Sequence, residues 1–327
     1  MHPKLALFEE GTVSAALPVV DHYCGVEARM KKSLELQAEM GRLFDITLDC
    51  EDGAPIGGEA EHVQLVLSML HSVSNKHDRV GARVHPFGHP AFEADVDELI
   101  AKGGERLAYL MLPKPESLAD VEAGCNFIDA ALRRHGITKP LPIHTLIETH
   151  GALREVFVIA AHPRIESLSF GLMDFVSAHR GAIPASAMGV QGQFSHSLVV
   201  RAKLEIAAAA HAFGKTPSHC VVTEFKDSEA LRLAARRAAK EFGYTRMWSI
   251  HPSQIEPILA AFAPDAAEVD EAADIIAAAQ DANWAPIRHR DTLHDRASFR
   301  YYWQLLERAK ASGMSLPAAA QARWFQG

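Results

Sequence analysis

Strand-like and helix-like segments alternate eight times along this chain, at a repeat of roughly 30 residues, the length of one strand–helix–strand unit. Apolar runs read as strands over 14–20, 44–52, 79–86, 107–114, 141–148, 165–174, 219–225 and 244–252. Helix formers fill 26–40, 59–73, 91–102, 118–135, 195–213 and 227–242. The strand runs are mostly continuous rather than alternating, as strands covered on both faces require. Gly41, Gly103, Gly136, Gly214 and Gly243 stand where a glycine closes a helix. The pattern predicts an α/β fold, a (β/α)8 TIM barrel. A doubly wound sheet would alternate too, but no G-x-G-x-x-G follows the first strand, so a dinucleotide site has no support.

The chain continues well past the eighth strand. Helices are expected over 253–262, 266–282 and 296–310, with a polar, irregular stretch over 283–295. The expected division is a barrel domain over 1–262 and a C-terminal helical extension over 263–327, serving as lid or oligomer arm. A net charge of −8 argues against nucleic acid or an anionic membrane as the main partner. No apolar run approaches the roughly 18 residues that span a bilayer, and no basic-then-apolar leader opens the chain. Cys24, Cys50, Cys125 and Cys220 form no C-x-x-C pair, which disfavours a structural zinc site or a disulfide framework. The expectation is a cytoplasmic enzyme.

Barrel active sites lie at the C-terminal ends of the strands. Those ends carry Glu51 and Asp52, Arg83, Lys114, Glu148, Asp174, Glu224 and His251. Two of the runs, Leu141-Pro-Ile-His-Thr-Leu-Ile-Glu148 and Ile165-Glu-Ser-Leu-Ser-Phe-Gly-Leu-Met-Asp174, are apolar and then stop on a carboxylate. One strand–helix repeat separates the two acids, which sets them on neighbouring strands at one rim. Such a pair can hold a hard divalent cation such as Mg²⁺, with water and substrate oxygens completing its shell. Arg83 needs an anionic partner, which a substrate carboxylate or Glu51 would equally supply. Glu51 and Asp52 read as acceptors that orient metal-bound waters or Arg83. Lys114 suits either a structural ion pair or a substrate contact. His85, just beyond Arg83, is a candidate polar contact. Charges at strand ends also arise because a strand must reach solvent somewhere, and His251 in Ile-His-Pro reads equally as a packed histidine.

These strand ends resemble the citrate lyase β-subunit-like branch of the HpcH/HpaI aldolase superfamily. The resemblance rests on Leu48-Asp-Cys-Glu-Asp-Gly53, Ala82-Arg-Val84, Leu112-Pro-Lys-Pro-Glu116, Leu146-Ile-Glu-Thr-His-Gly151, Phe170-Gly-Leu-Met-Asp174 and Ile250-His-Pro-Ser-Gln-Ile255, in order, over residues 14–260. It implies a barrel, a Mg²⁺ ion, homotrimers or hexamers, and Claisen-type cleavage of acyl thioesters or related 2-hydroxy or 2-oxo acids. It implies Glu148 and Asp174 as metal ligands, Arg83 as the carboxylate clamp and Glu51 and Asp52 behind them. It also implies an acid/base aspartate contributed by a neighbouring subunit, for which Asp295 in Leu293-His-Asp-Arg296 is the candidate. The chain departs from the family pattern in its opening strand, where arginines are missing, and at His85, Ser218-His219 and Thr245-Arg246.

Three functions follow. The first is a Mg²⁺-dependent lyase splitting a citryl-, malyl- or citramalyl-CoA-like thioester, on CoA or a carrier protein, into an oxo acid and an acyl thioester. The second is a class II aldolase releasing pyruvate from a free hydroxy-oxo acid, with His85 near the metal as base. The third is a non-catalytic organic-acid-binding protein on the same scaffold.

Overall fold

The computed structural model describes residues 1–8, 17–53 and 55–325. The chain forms two compact units, Pro18–Ala261 on one hand and Met1–Leu17 with Phe262–Gly327 on the other. In chain order the helices and strands are α1 Pro3–Leu7, β1 Val20–Cys24, α2 Glu27–Met40, β2 Phe44–Asp49, α3 Glu59–Leu70, β3 Val80–Arg83, α4 Phe92–Gly103, β4 Leu107–Leu112, α5 Leu118–Arg134 and β5 Ile143–Ile147. There follow α6 His150–Arg154, α7 Val156–Ala161, β6 Ile165–Phe170, α8 Leu172–Ser177, α9 Ser197–Ala212, β7 Thr216–His219, α10 Ser228–Lys240, β8 Arg246–Ser249 and α11 Ile255–Phe262. Beyond these lie α12 Ala266–Asp281, β9 Ile287–His289, β10 Thr292–His294, α13 Arg296–Ala311 and α14 Ala318–Trp324.

Strands β1 to β8 close into a parallel barrel, each paired with the next in sequence and β1 with β8. The expected (β/α)8 barrel is present. Inside it, alternate residues stack in layers. At the N-terminal ends Arg246, fully buried, pairs with Asp21 at 3.1 Å and Asp45 at 2.6 Å. Arg79 also holds Asp45, and the His144 ring binds Glu166 at 3.0 Å while stacking on Tyr109. Above them the Tyr109 hydroxyl meets Thr47 at 2.7 Å. Gly81 makes room for that ring, because a Cβ there would lie 2.3 Å from it. Tyr109, Met111, Leu146 and Trp248 form a small apolar floor. The C-terminal ends of β2 and β3 carry Asp49 and Arg83, paired in register.

Four segments differ from the sequence reading, each for a physical reason. The first strand, expected over 14–20, is Val20–Cys24; positions 14–16 lie outside the described residues. The true strand carries polar Asp21 and His22, satisfied by Arg246 and by Ser249 at 2.9 Å, so an apolar run was the wrong marker. The seventh strand, expected over 219–225, is the polar Thr216–His219, in register with Ser167 and Ser169 of β6. Asp174 does not end β6, which stops at Phe170; after Gly171 the chain turns into α8, and Asp174 lies in its first turn. The stretch expected as irregular contains the hairpin β9–β10, turned by Arg290 and Asp291 at φ 43° and 65°. Two consecutive left-handed residues make the tight hairpin turn usually signalled by Asn-Gly, and that signal is absent here.

The second unit packs α12, α13 and α14 around Val269, Ile276, Phe299, Trp303, Leu306 and Trp324, joined by Leu7 of α1. Trp303 stacks on Phe325 at 5.1 Å. Among the described residues no helix is long and apolar enough to cross a membrane.

Candidate active site

Arg83, the last residue of β3, is 4% exposed, and four groups surround its guanidinium. Nε donates to Asp49 Oδ1 at 2.7 Å, and Nη2 donates to Asp49 Oδ2 at 3.0 Å, Asp52 Oδ2 at 2.9 Å and the Tyr23 hydroxyl at 3.1 Å. Nη1 lies 2.9 Å from Glu51 Oε2, an ion pair too far off line to be a hydrogen bond, so that buried oxygen has no donor aimed at it. The Tyr23 hydroxyl donates to Asp49 Oδ2, and its ring lies under the guanidinium and stacks on Trp248. Asp49 also accepts the main-chain N–H groups of Glu51 and Gly53 at 3.1 and 2.6 Å, which fixes the loop after β2. Burial works to raise the Asp49 pKa, but Arg83 and these donors hold it below the usual carboxylate value.

Glu148 follows β5 directly and is 2% exposed. Its Oε1 accepts the main-chain N–H of Lys114 at 2.9 Å. Its Oε2 lies over Gly171, where a Cβ would come within 2.0 Å. Burial, with the Asp174 charge next, pushes the Glu148 carboxyl up to about 8. Thr149 seats the turn by capping α6 and donating to the Pro115 carbonyl at 2.5 Å. The Lys114 ammonium lies 2.6 Å from Glu51, 3.6 Å from Asp174 and 3.8 Å from Asp52. Burial opposes its charge, but Glu51 and the two aspartates raise its pKa above the ordinary lysine value. Burial raises Glu51 despite Arg83 and Lys114 beside it.

The barrel thus brings together Glu51, Asp52, Arg83, Lys114, Glu148 and Asp174. Two other proposed site residues have local partners of their own. The His85 ring binds Asp95 of α4 at 2.6 Å and stacks on His89. Asp295, within the second unit, caps α13 by accepting from Ala297 and Ser298, and it is exposed. Two other strand-end groups are also tied locally: Glu224 accepts Val190 N–H at 3.0 Å, and His251 bonds Ser253 at 2.8 Å. Asp49 and Tyr23 belong to the cluster although neither was singled out. The signal for Asp49 was available, since it stands in Leu48-Asp-Cys-Glu-Asp-Gly53 beside the strand carrying Arg83.

The donor set fits a hard divalent cation. A buried carboxylate raised to about 8 beside a second, 44%-exposed carboxylate asks for positive charge. Among the described residues no three His, Cys, Asp or Glu side chains converge as a closed metal cage. A two-carboxylate site open to water and substrate is the arrangement such a cation accepts.

Residues 40–252 match the HpcH/HpaI aldolase/citrate lyase family. A citrate lyase from Burkholderia xenovorans LB400 shares 53% identity over 98% of each chain, with a TM-score of 0.86. An L-malyl-CoA/β-methylmalyl-CoA lyase of Cereibacter sphaeroides is 28% identical over 246 residues, covering 71% of this chain and 76% of that protein. The CitE protein of Mycobacterium tuberculosis, in complex with magnesium, acetoacetate and coenzyme A, is 22% identical over 91% of this chain and 100% of its own, with a TM-score of 0.69; that likeness establishes the shared fold alone. The chain belongs to the HpcH/HpaI aldolase/citrate lyase family.

Proposed function

We propose that this protein is a divalent-metal-dependent carbon–carbon lyase that cleaves a 2-hydroxy-acid CoA thioester of the malyl, citramalyl or citryl type into an oxo acid and an acyl-CoA. The observation that carries the reading is the pair Glu148, buried, and Asp174, half exposed, both reached by Lys114 at the mouth of a barrel of this family. The malyl-CoA lyase relatives support the thioester over a free acid.

Glu148 and Asp174 would hold Mg²⁺, which when bound supplies Lewis-acid polarisation of the substrate's carboxylate and hydroxyl oxygens. Arg83 fixes the substrate carboxylate through the outer edge of its guanidinium, while Asp49 grips the inner edge and keeps the fork in plane. Asp52 is the partner that can yield, because its side chain is 58% exposed. Lys114 adds positive charge above Glu51 for the anion that enters. As the carbon–carbon bond breaks, the hydroxyl gives up its proton to a carboxylate, its carbon leaves as the oxo acid, and the bonding pair passes to the thioester's α-carbon, which takes a proton from a carboxylic acid. We assign that acid to Asp295 of a neighbouring subunit, in a homotrimer or hexamer. The free, buried cysteines and the net charge of −8 support a cytoplasmic setting.

The test is a coupled lyase assay with Mg²⁺, offering malyl-CoA, citramalyl-CoA and citryl-CoA beside free hydroxy-oxo acids. Thioester cleavage that EDTA abolishes is the expected result. Turnover of free acids alone would move the protein to pyruvate-releasing aldolases. Metal binding without turnover of any of these acids would leave it a binding protein. A clean monomer by light scattering would sink the role of Asp295.

A further inference from the structure

Lys114 reaches both carboxylates of the proposed metal site, with opposite ends of the same residue. Its main-chain N–H donates to Glu148 Oε1 at 2.9 Å, and its ammonium stands 3.6 Å from Asp174 Oδ1. The residue holds φ 51°, the left-handed region that a side chain other than glycine's seldom adopts. That conformation persists only where the surroundings over-determine it. Here it points amide and ammonium into one pocket of charge.

The charges around it are unbalanced. Asp49, Glu51, Asp52 and Asp174 face two cations, Arg83 and Lys114. Arg83 is engaged by Asp49, Glu51 and Asp52. Among the described residues Lys114 is therefore the cation left to pair with Asp174. An ammonium and a hard divalent ion seek the same carboxylate lone pairs, and two cations on one carboxylate repel.

We infer that Lys114 is the resident counter-ion of this site, competing with the divalent cation for Asp174 and giving that carboxylate up when the cation binds. The inference rests on the metal reading above. Lys114 keeps its closer partner, Glu51 at 2.6 Å, throughout. Its side chain is 30% exposed on a flexible four-carbon stem, so the ammonium can withdraw from Asp174 without repacking the barrel. The backbone bond to Glu148 stays in place, so one ligand is held still while the other is exchanged between cations. Lys114 thereby sets how tightly the site takes its metal and keeps the carboxylates from facing one another uncompensated.

Isothermal titration of the metal-free protein with MgCl₂ tests this, at fixed pH and ionic strength, on wild type, K114M, K114Q, K114R and D174A. Removing the competing charge in K114M or K114Q should tighten Mg²⁺ binding by about twofold to fivefold, the effect of one partly exposed charge contact, while K114R stays near wild type. The second neutral variant answers if the first fails to fold. Unchanged or weaker binding in both neutral variants, with binding still abolished in D174A, would overturn the competition and leave the metal site standing. Wild type that takes up no Mg²⁺, or D174A that binds like wild type, would overturn the metal reading itself, and this inference with it.

Discussion

At the N-terminal end of the barrel Arg246 lies between Asp21 and Asp45, and at the C-terminal end Arg83 lies between Asp49, Glu51 and Asp52. The two constellations share their chemistry and differ in closure. Arg246, Asp21 and Asp45 are all 0% exposed, out of reach of bulk solvent. At the other end Asp52 and Asp174 keep 58% and 44% of their side chains in solvent, and Lys114 keeps 30%. A buried ion pair has no partner to exchange, and its worth lies in the cost of breaking it. An open one can trade an internal carboxylate for a substrate's or an ammonium for a metal ion. Barrels place stability at the closed end and chemistry at the open one.

Substitutions should separate the two ends cleanly. Glu148→Ala and Asp174→Ala should each lower kcat/KM by about 10³-fold, as losing a main electrostatic element does, and abolish Mg²⁺ binding while the circular dichroism stays native. A retained Mg²⁺ affinity in either variant would refute the ligand assignment. Arg246→Ala should do the reverse, costing about 3–5 kcal/mol in urea unfolding because Asp21 is left buried without a cation and Asp45 keeps only Arg79, with kcat of the folded fraction preserved. Equal stability in that variant would mean water replaces the guanidinium.

Gly171→Ala sharpens the comparison at the open end. The added methyl would stand 2.0 Å from Glu148 Oε2, so the carboxylate must move, and Mg²⁺ affinity should fall by about tenfold or more for even a small displacement. Titration calorimetry would read it, and unchanged affinity would show that the turn absorbs the methyl.

The pH response should be of similar size. Glu148 rises from 4.5 to about 8, so the folded metal-free protein holds a proton that the unfolded chain has released. Its contribution to stability is therefore complete below pH 4.5 and is lost as pH rises towards 8. Glu51, also raised, acts in the same direction. Mg²⁺ must displace the Glu148 proton, so affinity should climb with pH and level off above about 8. Flat affinity across that range would show Glu148 already ionised. The smallest effect belongs to Tyr23→Phe, which removes one donor from Asp49 and one acceptor from Arg83. A few-fold rise in KM is expected, near the worth of one hydrogen bond of about 1 kcal/mol.

The open end was legible in the sequence because charges interrupting apolar runs stand out: Arg83, Lys114, Glu148 and Asp174 each break one. The closed end was not. Asp21, Asp45 and Arg246 sit where a core is expected to be apolar, and their pairing joins residues more than 200 positions apart for Asp45 and Arg246. The same polar interior hid β1 and β7, whose side chains are satisfied across the barrel rather than by hydrophobic contact. Asp49 escaped notice because its role lies in the pairing of adjacent strands, which no single run displays. The His85 partner, Asp95, lies on the following helix, so its ring could be given a place in the sequence but not a direction.

The Arg246 bridge also bears on how the barrel folds. It ties the last strand to the first two, across the seam where the ring closes. A nascent chain ending before β8 has already brought Asp21 and Asp45 side by side, with Arg79 pairing Asp45 and no cation pairing Asp21. Those strands gain less by collapsing early, since Asp21 would be desolvated with no cation to compensate it. Ring closure and the neutralisation of Asp21 therefore arrive together, and a fragment carrying only the first strands should remain loosely structured until Arg246 is supplied.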